Sequence, residues 1–151
     1  MLIENARLID ADGIRDRASV EIADGLIRAI HEAPPKDFDG QRIDADGLWL
    51  MPGLIELSAR LREPGATRKA TIASELRAAA AGGFTAVCLP PDTQPIIDRP
   101  SVADWIRGRV AASGSPVRVH LLGALTQNLD GQSLAEMGAL AAAGCVGVSQ
   151  G

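Results

Sequence analysis

The rhythm of apolar and polar residues changes near residue 50. Over residues 2–30 the two kinds alternate in short runs. LIENARLID comes first, Asp12-Gly13 marks a turn, and SVEIADGLIRAI alternates on either side of Asp24-Gly25. An Asp-Gly pair between two alternating runs predicts a hairpin, because glycine accepts the positive φ that a tight two-residue turn imposes. The stretch AIHEAPPKDFDGQ is polar and punctuated by proline and glycine, so it reads as a loop. RIDADGLWLMPG then supplies one or two further short strands. The expectation is a partial β subdomain over residues 1–50, with too few strands to close on itself.

After residue 50 the pattern becomes strand-helix alternation. GLIELS is a short apolar run, followed by the charged loop RLREPGATRK. ATIASELRAAAA places Ile72, Leu76, Ala79 and Ala80 on one helical face and stops at Gly82-Gly83. FTAVCLP is apolar and partly β-branched, hence a buried strand. Beyond the loop PDTQPIIDRP, a second helix carries Val102, Trp105, Ile106 and Val110 on one face. SPVRVHLLG is a third strand, and the loop ALTQNLDGQ follows it. Ser133 and Glu136 have capping-box spacing, which predicts a helix with Leu134, Met137, Leu140 and Ala141 inward, ending at Gly144. CVGVS is a fourth strand.

Such units, with almost wholly apolar strands, imply an α/β fold whose parallel sheet is covered by helices. A closed eight-stranded βα barrel takes about 250 residues, so residues 51–151 hold about four βα units, roughly half of one. An open doubly wound sheet usually carries a Gly-rich phosphate loop after its first strand. Here that loop is Leu61-Arg62-Glu63-Pro64-Gly65, without the G-x-G-x-x-G pattern. Half a barrel leaves its first and fourth strands as open edges, an aggregation hazard. The chain is therefore expected to be part of a longer protein, or to be oligomeric or held by a partner.

Composition narrows the function classes. With 46% hydrophobic and 23% charged residues the chain can bury a core. Fifteen Lys+Arg against nineteen Asp+Glu, a formal charge of -4, argue against a nucleic-acid binder or a polybasic membrane segment. No apolar run approaches the roughly 20 residues of a spanning helix, and MLIENARLID lacks a signal-peptide layout, so a cytoplasmic location is expected. Cys88 and Cys145 lie in apolar runs and read as reduced core thiols. Cys88 has no neighbouring base, and Ser58 and Ser149 have no G-x-S-x-G elbow, so neither chemistry is indicated. His120 reads as a hydrogen-bonded strand histidine, His31 as a surface residue, and Trp49 and Trp105 as packing residues.

The segment MPGLIELSARLREPG resembles the first barrel strand of the dihydroorotases, in the cyclic amidohydrolase superfamily. Their usual form runs proline-glycine-leucine-isoleucine-aspartate, a hydrophobic residue, His-x-His, then Leu-Arg-Glu-Pro-Gly. The likeness continues through GGFTAVCLPPDTQPIIDRP, LLGALT, LAEMGALAAAG and VGVSQG, and back into ENARLID and DGLIRAI. The resemblance implies part of an amidohydrolase-type (β/α)8 barrel behind a small β subdomain. It also implies zinc held by the His-x-His pair and, in some members, by an aspartate near the end of the fourth strand. The matching positions here are Ser58, Arg60 and Gln150. Serine is a poor zinc ligand at neutral pH, and an always-protonated guanidinium offers no lone pair. Gln150 is a neutral amide where a carboxylate is wanted.

On this reading no catalytic residue and no cofactor are expected, and zinc only if ligands lie beyond residue 151. Arg62 matches the family's carboxylate-gripping arginine, and Asp92 stands where a substrate-binding asparagine usually lies. Both are vestigial substrate-site candidates, against the plainer reading of Arg62 as a loop arginine paired with Glu63 or Asp92. The resemblance implies a partner as well: in some bacteria an inactive dihydroorotase-like chain accompanies the aspartate transcarbamoylase catalytic chain. Three functions follow: such an assembly partner in pyrimidine biosynthesis, an active zinc-dependent dihydroorotase, or a metal-free small-anion binding module.

Overall fold

The computed structural model describes residues 1–150, and the chain divides into two compact units, Met1–Pro52 and a second beginning at Gly53.

In the first unit β1 (Leu2–Asp10), β2 (Gly13–Ala23) and β3 (Leu26–His31) form an antiparallel meander. Asp24 and Gly25 both take positive φ, 53° and 72°, which is the turn geometry expected between β2 and β3. Two short strands then return to β1 in parallel, β4 (Arg42–Asp44) and β5 (Trp49–Leu50). Alternation alone does not reveal this pairing, because the Pro-rich loop sets its direction. Arg42 organises that loop by donating to the carbonyls of Pro35 and Lys36 while pairing with Glu4. Leu8, Ala18 and Val20 pack on one another as this unit's core. Trp49 does not join it. The residue is 65% exposed, with the Arg7 guanidinium 6.0 Å from the ring centroid.

In the second unit β6 (Leu54–Glu56), β7 (Phe84–Leu89), β8 (Arg118–Ala124) and β9 (Cys145–Ser149) form one sheet in that spatial order, every pair parallel. Strands that are neighbours in sequence are neighbours in space. A doubly wound sheet reverses direction from its first strand, whereas a barrel adds strands in sequence, so this order is that of a barrel segment. Helices α1 (Ile72–Ala81), α2 (Pro100–Ala112) and α3 (Met137–Ala142) fill the three crossovers. Ile72, Leu76, Val87, Leu89, Ile106, Leu121 and Leu140 form one buried cluster between helices and sheet. β6 and β9 are the terminal strands among the described residues, and Leu57 beside β6 is 72% exposed.

Local details depart from expectation at three places. The capping box lies on α1, where the Thr71 hydroxyl accepts from the Ser74 amide at 3.1 Å and the Ser74 hydroxyl accepts from the Thr71 amide at 3.0 Å. Ser133 and Glu136 form no box. α3 begins only at Met137, after an isolated bridge between Thr126 and Leu134 has used the preceding backbone. That delay turns Leu134 outward, 62% exposed, and leaves Ala141 exposed; Ala135, Leu140 and Ala143 are the buried positions. On α2 the buried stripe runs through Val102, Ala103 and Ile106, which puts Trp105 at its margin, 47% exposed beneath the Arg109 guanidinium.

One glycine fixes a close approach. A Cβ on Gly123 of β8 would stand 2.8 Å from Leu140 Cδ1 and 3.4 Å from Leu140 Cβ, so α3 sits directly on the bare backbone. Gly123→Val should therefore cost about 2 kcal/mol through overpacking. Urea unfolding checks it, and a midpoint equal to the parent's would show that α3 moves aside freely.

Candidate functional site

In parallel α/β sheets, ligands gather beyond the carboxyl ends of the strands. Here that rim is made by residues 57–71 after β6, 90–99 after β7, 125–136 after β8, and the end of β9. Alternation through Ala59, which packs on the helix-side core, turns Glu56, Ser58 and Arg60 to the opposite face. The Ser58 amide donates to Glu56 Oε1 at 2.9 Å, which occupies that carboxylate locally. Arg60 Nε donates to Asp92 Oδ2 at 2.7 Å, an ion pair across the first two rim loops. Gln150 lies on the last part of the rim. Its Oε1 accepts from the Thr126 hydroxyl at 3.0 Å and its Nε2 donates to the Leu129 carbonyl at 3.0 Å.

This donor set does not fit a zinc ion. Arg60 brings a fixed positive charge to a ligand position and is already paired. Ser58 is neutral, and both amide atoms of Gln150 are engaged. Among the described residues, no three His, Cys, Asp or Glu side chains converge as a metal site.

Arg62 has a different situation. It is exposed, with φ 64°, and lines a cavity of about 200 Å³ together with Arg60, Gly65, Leu89, Asp92 and Thr93. The acids expected to neutralise it are occupied elsewhere: Asp92 by Arg60, and Glu63 by Arg109. The rim thus brings Arg60, Arg62 and Asp92 to one cavity and leaves Arg62 without an ion-pair partner among the described residues.

Glu63 and Asp98 carry structural weight that sequence reasoning did not assign. Glu63 is 4% exposed. Its Oε2 accepts from the Ile72 amide at 2.7 Å, capping α1, while its Oε1 takes Arg109 Nε at 3.1 Å. Asp98 is also buried and bonds Arg99 and the Asn128 amide. A charged residue in a polar loop gives no sign of burial in sequence; only the fold shows which acids turn inward.

The Arg99 guanidinium holds the Asp98 carboxyl below its ordinary value of 3.8, and the Asn128 amide acts in the same direction against burial. A carboxyl whose folded pKa is depressed adds stability above its unfolded pKa and loses it as pH falls through the folded value. The Asn128 amide resonance should therefore titrate with a midpoint below 3.8; a midpoint at or above that value would contradict the pairing.

The remaining candidates are the two histidines and the two cysteines. His31 Nε2 lies 3.1 Å from Glu21 Oε2, a half-buried cross-strand contact rather than a free surface group. His120 stands opposite Cys88 in register and is half-buried, without a hydrogen-bond partner among the described residues. Its neighbours Val119 and Leu121 take the helix side, so alternation turns the ring to the open face. Cys88 and Cys145 are both free and half-buried. Burial pushes the Cys145 thiol up, so at neutral pH it is protonated and a poor nucleophile. Among the described residues, no helix is long and apolar enough to cross a membrane.

Residues 47–150 match the family described as dihydro-orotase-like. A dihydroorotase of Anaeromyxobacter sp. (strain K) is 41% identical over 150 residues, which are 99% of this chain and 34% of that protein. A dihydroorotase-like protein of Pseudomonas aeruginosa is 43% identical over 150 residues, 99% of this chain and 35% of that protein. Among solved structures, the L-hydantoinase (dihydropyrimidinase) from Arthrobacter aurescens aligns with a TM-score of 0.81 at 26% identity, covering 97% of this chain and 32% of that one. This chain spans about a third of the length of these relatives. Its sequentially ordered parallel sheet, its rim sequence and these matches agree: the chain belongs to the dihydroorotase-like family and forms part of an amidohydrolase-type barrel.

Proposed function

We propose that this protein is a noncatalytic dihydroorotase-like chain that serves as an assembly partner of the aspartate transcarbamoylase catalytic chain in pyrimidine biosynthesis. The observation that carries the first half is the Arg60–Asp92 ion pair, which puts a guanidinium at a position where the family's zinc ligand would stand. An unacidified water does not attack a ring amide at neutral pH, so the loss of ligands removes the chemistry. The second half draws support from the intact core behind the altered rim, since a chain kept foldable without its metal ligands retains surfaces. Full-length protein should purify without stoichiometric zinc, should not hydrolyse dihydroorotate, and should co-purify with aspartate transcarbamoylase. Zinc with turnover would end the noncatalytic reading. Failure to change that enzyme's size or activity would end the partnership.

A second reading, an active zinc-dependent dihydroorotase with ligands supplied beyond these residues, is favoured by the name of the Anaeromyxobacter relative. The dihydroorotase-like name of the Pseudomonas relative, at similar identity, favours neither. A third, a metal-free anion-binding module, rests on Arg62 and its cavity. Calorimetry with carbamoyl aspartate, comparing the parent with Arg62→Ala, separates it from the first.

A further inference from the structure

Three rim loops and the end of β9 meet at the carboxyl end of the sheet, and three side-chain ties join them in sequence. Arg60 to Asp92, 2.7 Å, links the loop after β6 to the loop after β7. Asp98, on that second loop, accepts from the Asn128 amide at 3.0 Å and so reaches the loop after β8. Gln150, past β9, takes the Thr126 hydroxyl and the Leu129 carbonyl, each at 3.0 Å. The third loop needs such fastening. Asn128 and Leu129 both lie in the left-handed region, φ 51° and 57°, which disfavours a branched residue such as leucine. Asp98 grips one of these peptides by its N–H and Gln150 grips the other by its carbonyl. Thr126 adds a further tie by accepting from the Gly131 amide at 3.0 Å.

We propose that these ties form one continuous, metal-independent brace around the barrel rim, in which Arg60 and Gln150 act as positioning residues for the loops. The inference rests on the noncatalytic reading only in taking these two residues as fasteners rather than as neighbours of a metal. The brace makes a claim that isolated surface contacts do not. Cutting it at one end must loosen loops that the cut residue never touches, because the left-handed segment passes the disturbance through Asp98.

Hydrogen exchange on the full-length protein tests this. Gln150→Ala should raise exchange about tenfold over residues 126–131, since two hydrogen bonds are lost. It should also raise exchange measurably over residues 91–98, with α1 unchanged. Arg60→Gln and Asp92→Ala, each breaking a part-exposed pair, should raise exchange about threefold over residues 91–98. The charge swap Arg60→Glu with Asp92→Arg should restore it. An effect of Gln150→Ala confined to residues 126–131, or no effect of Asp92→Ala, would overturn the brace. Protection of the parent rim by added zinc, with these variant effects intact, would instead overturn the noncatalytic reading and leave the brace standing.

Discussion

Leu76→Ala should remove about 3 kcal/mol from the stability of the barrel unit, the largest single effect expected in the chain. Leu76 is 0% exposed on α1, inside the cluster shared with β7 and α2. Truncating it loses the transfer energy of three carbons and leaves a void that rigid strands on one side cannot fill. The measurement is urea unfolding followed through exchange of α1 and β7 amides, since two compact units need not unfold in one transition. A loss below about 1 kcal/mol would mean that the cluster relaxes around the missing side chain and is looser than its burial implies.

Glu63→Ala should cost about 2 kcal/mol, and Glu63→Gln about half as much. Alanine leaves the Ile72 amide without its acceptor at the start of α1 and removes a negative charge from the positive end of that helix. It also strands Arg109, but that side chain is half-exposed and water screens most of the loss. Glutamine keeps an acceptor for the amide and gives up the charge. The ordering alanine worse than glutamine, read from urea midpoints, is the test. Equal losses would put the weight on the ion pair and remove the capping account.

The architecture was legible in the sequence because its determinants are local and periodic. Asp24-Gly25 demanded a particular turn and received it, and the apolar runs at 84–89, 118–124 and 145–149 became parallel strands. What misled was chemistry that depends on context. Ser133 and Glu136 have the right spacing for a cap, yet a bridge between Thr126 and Leu134 holds the intervening backbone out of the helix. Trp105 fits a helical period, yet the smaller Ala103 holds the buried stripe and the large ring is left at the edge. The side chains at the rim were readable one residue at a time: Ser58, Arg60 and Gln150 could each be judged a poor ligand from its chemistry. Their partners were not, because Asp92, Thr126 and Leu129 approach only when the rim loops and the end of β9 come together. The resemblance thus singled out these three positions and was silent on what their side chains hold.

The Arg60–Asp92 pair also couples two positions that lie 32 residues apart in the chain. Arg60→His leaves the Asp92 carboxylate without its partner, at a cost of at most about 1 kcal/mol because both side chains are part-exposed. A histidine at position 60 would still share the rim with a Gln150 amide held by Thr126 and Leu129. Turning this rim into a metal-binding one therefore takes coordinated changes on several loops, each of which first gives up a contact that is present now.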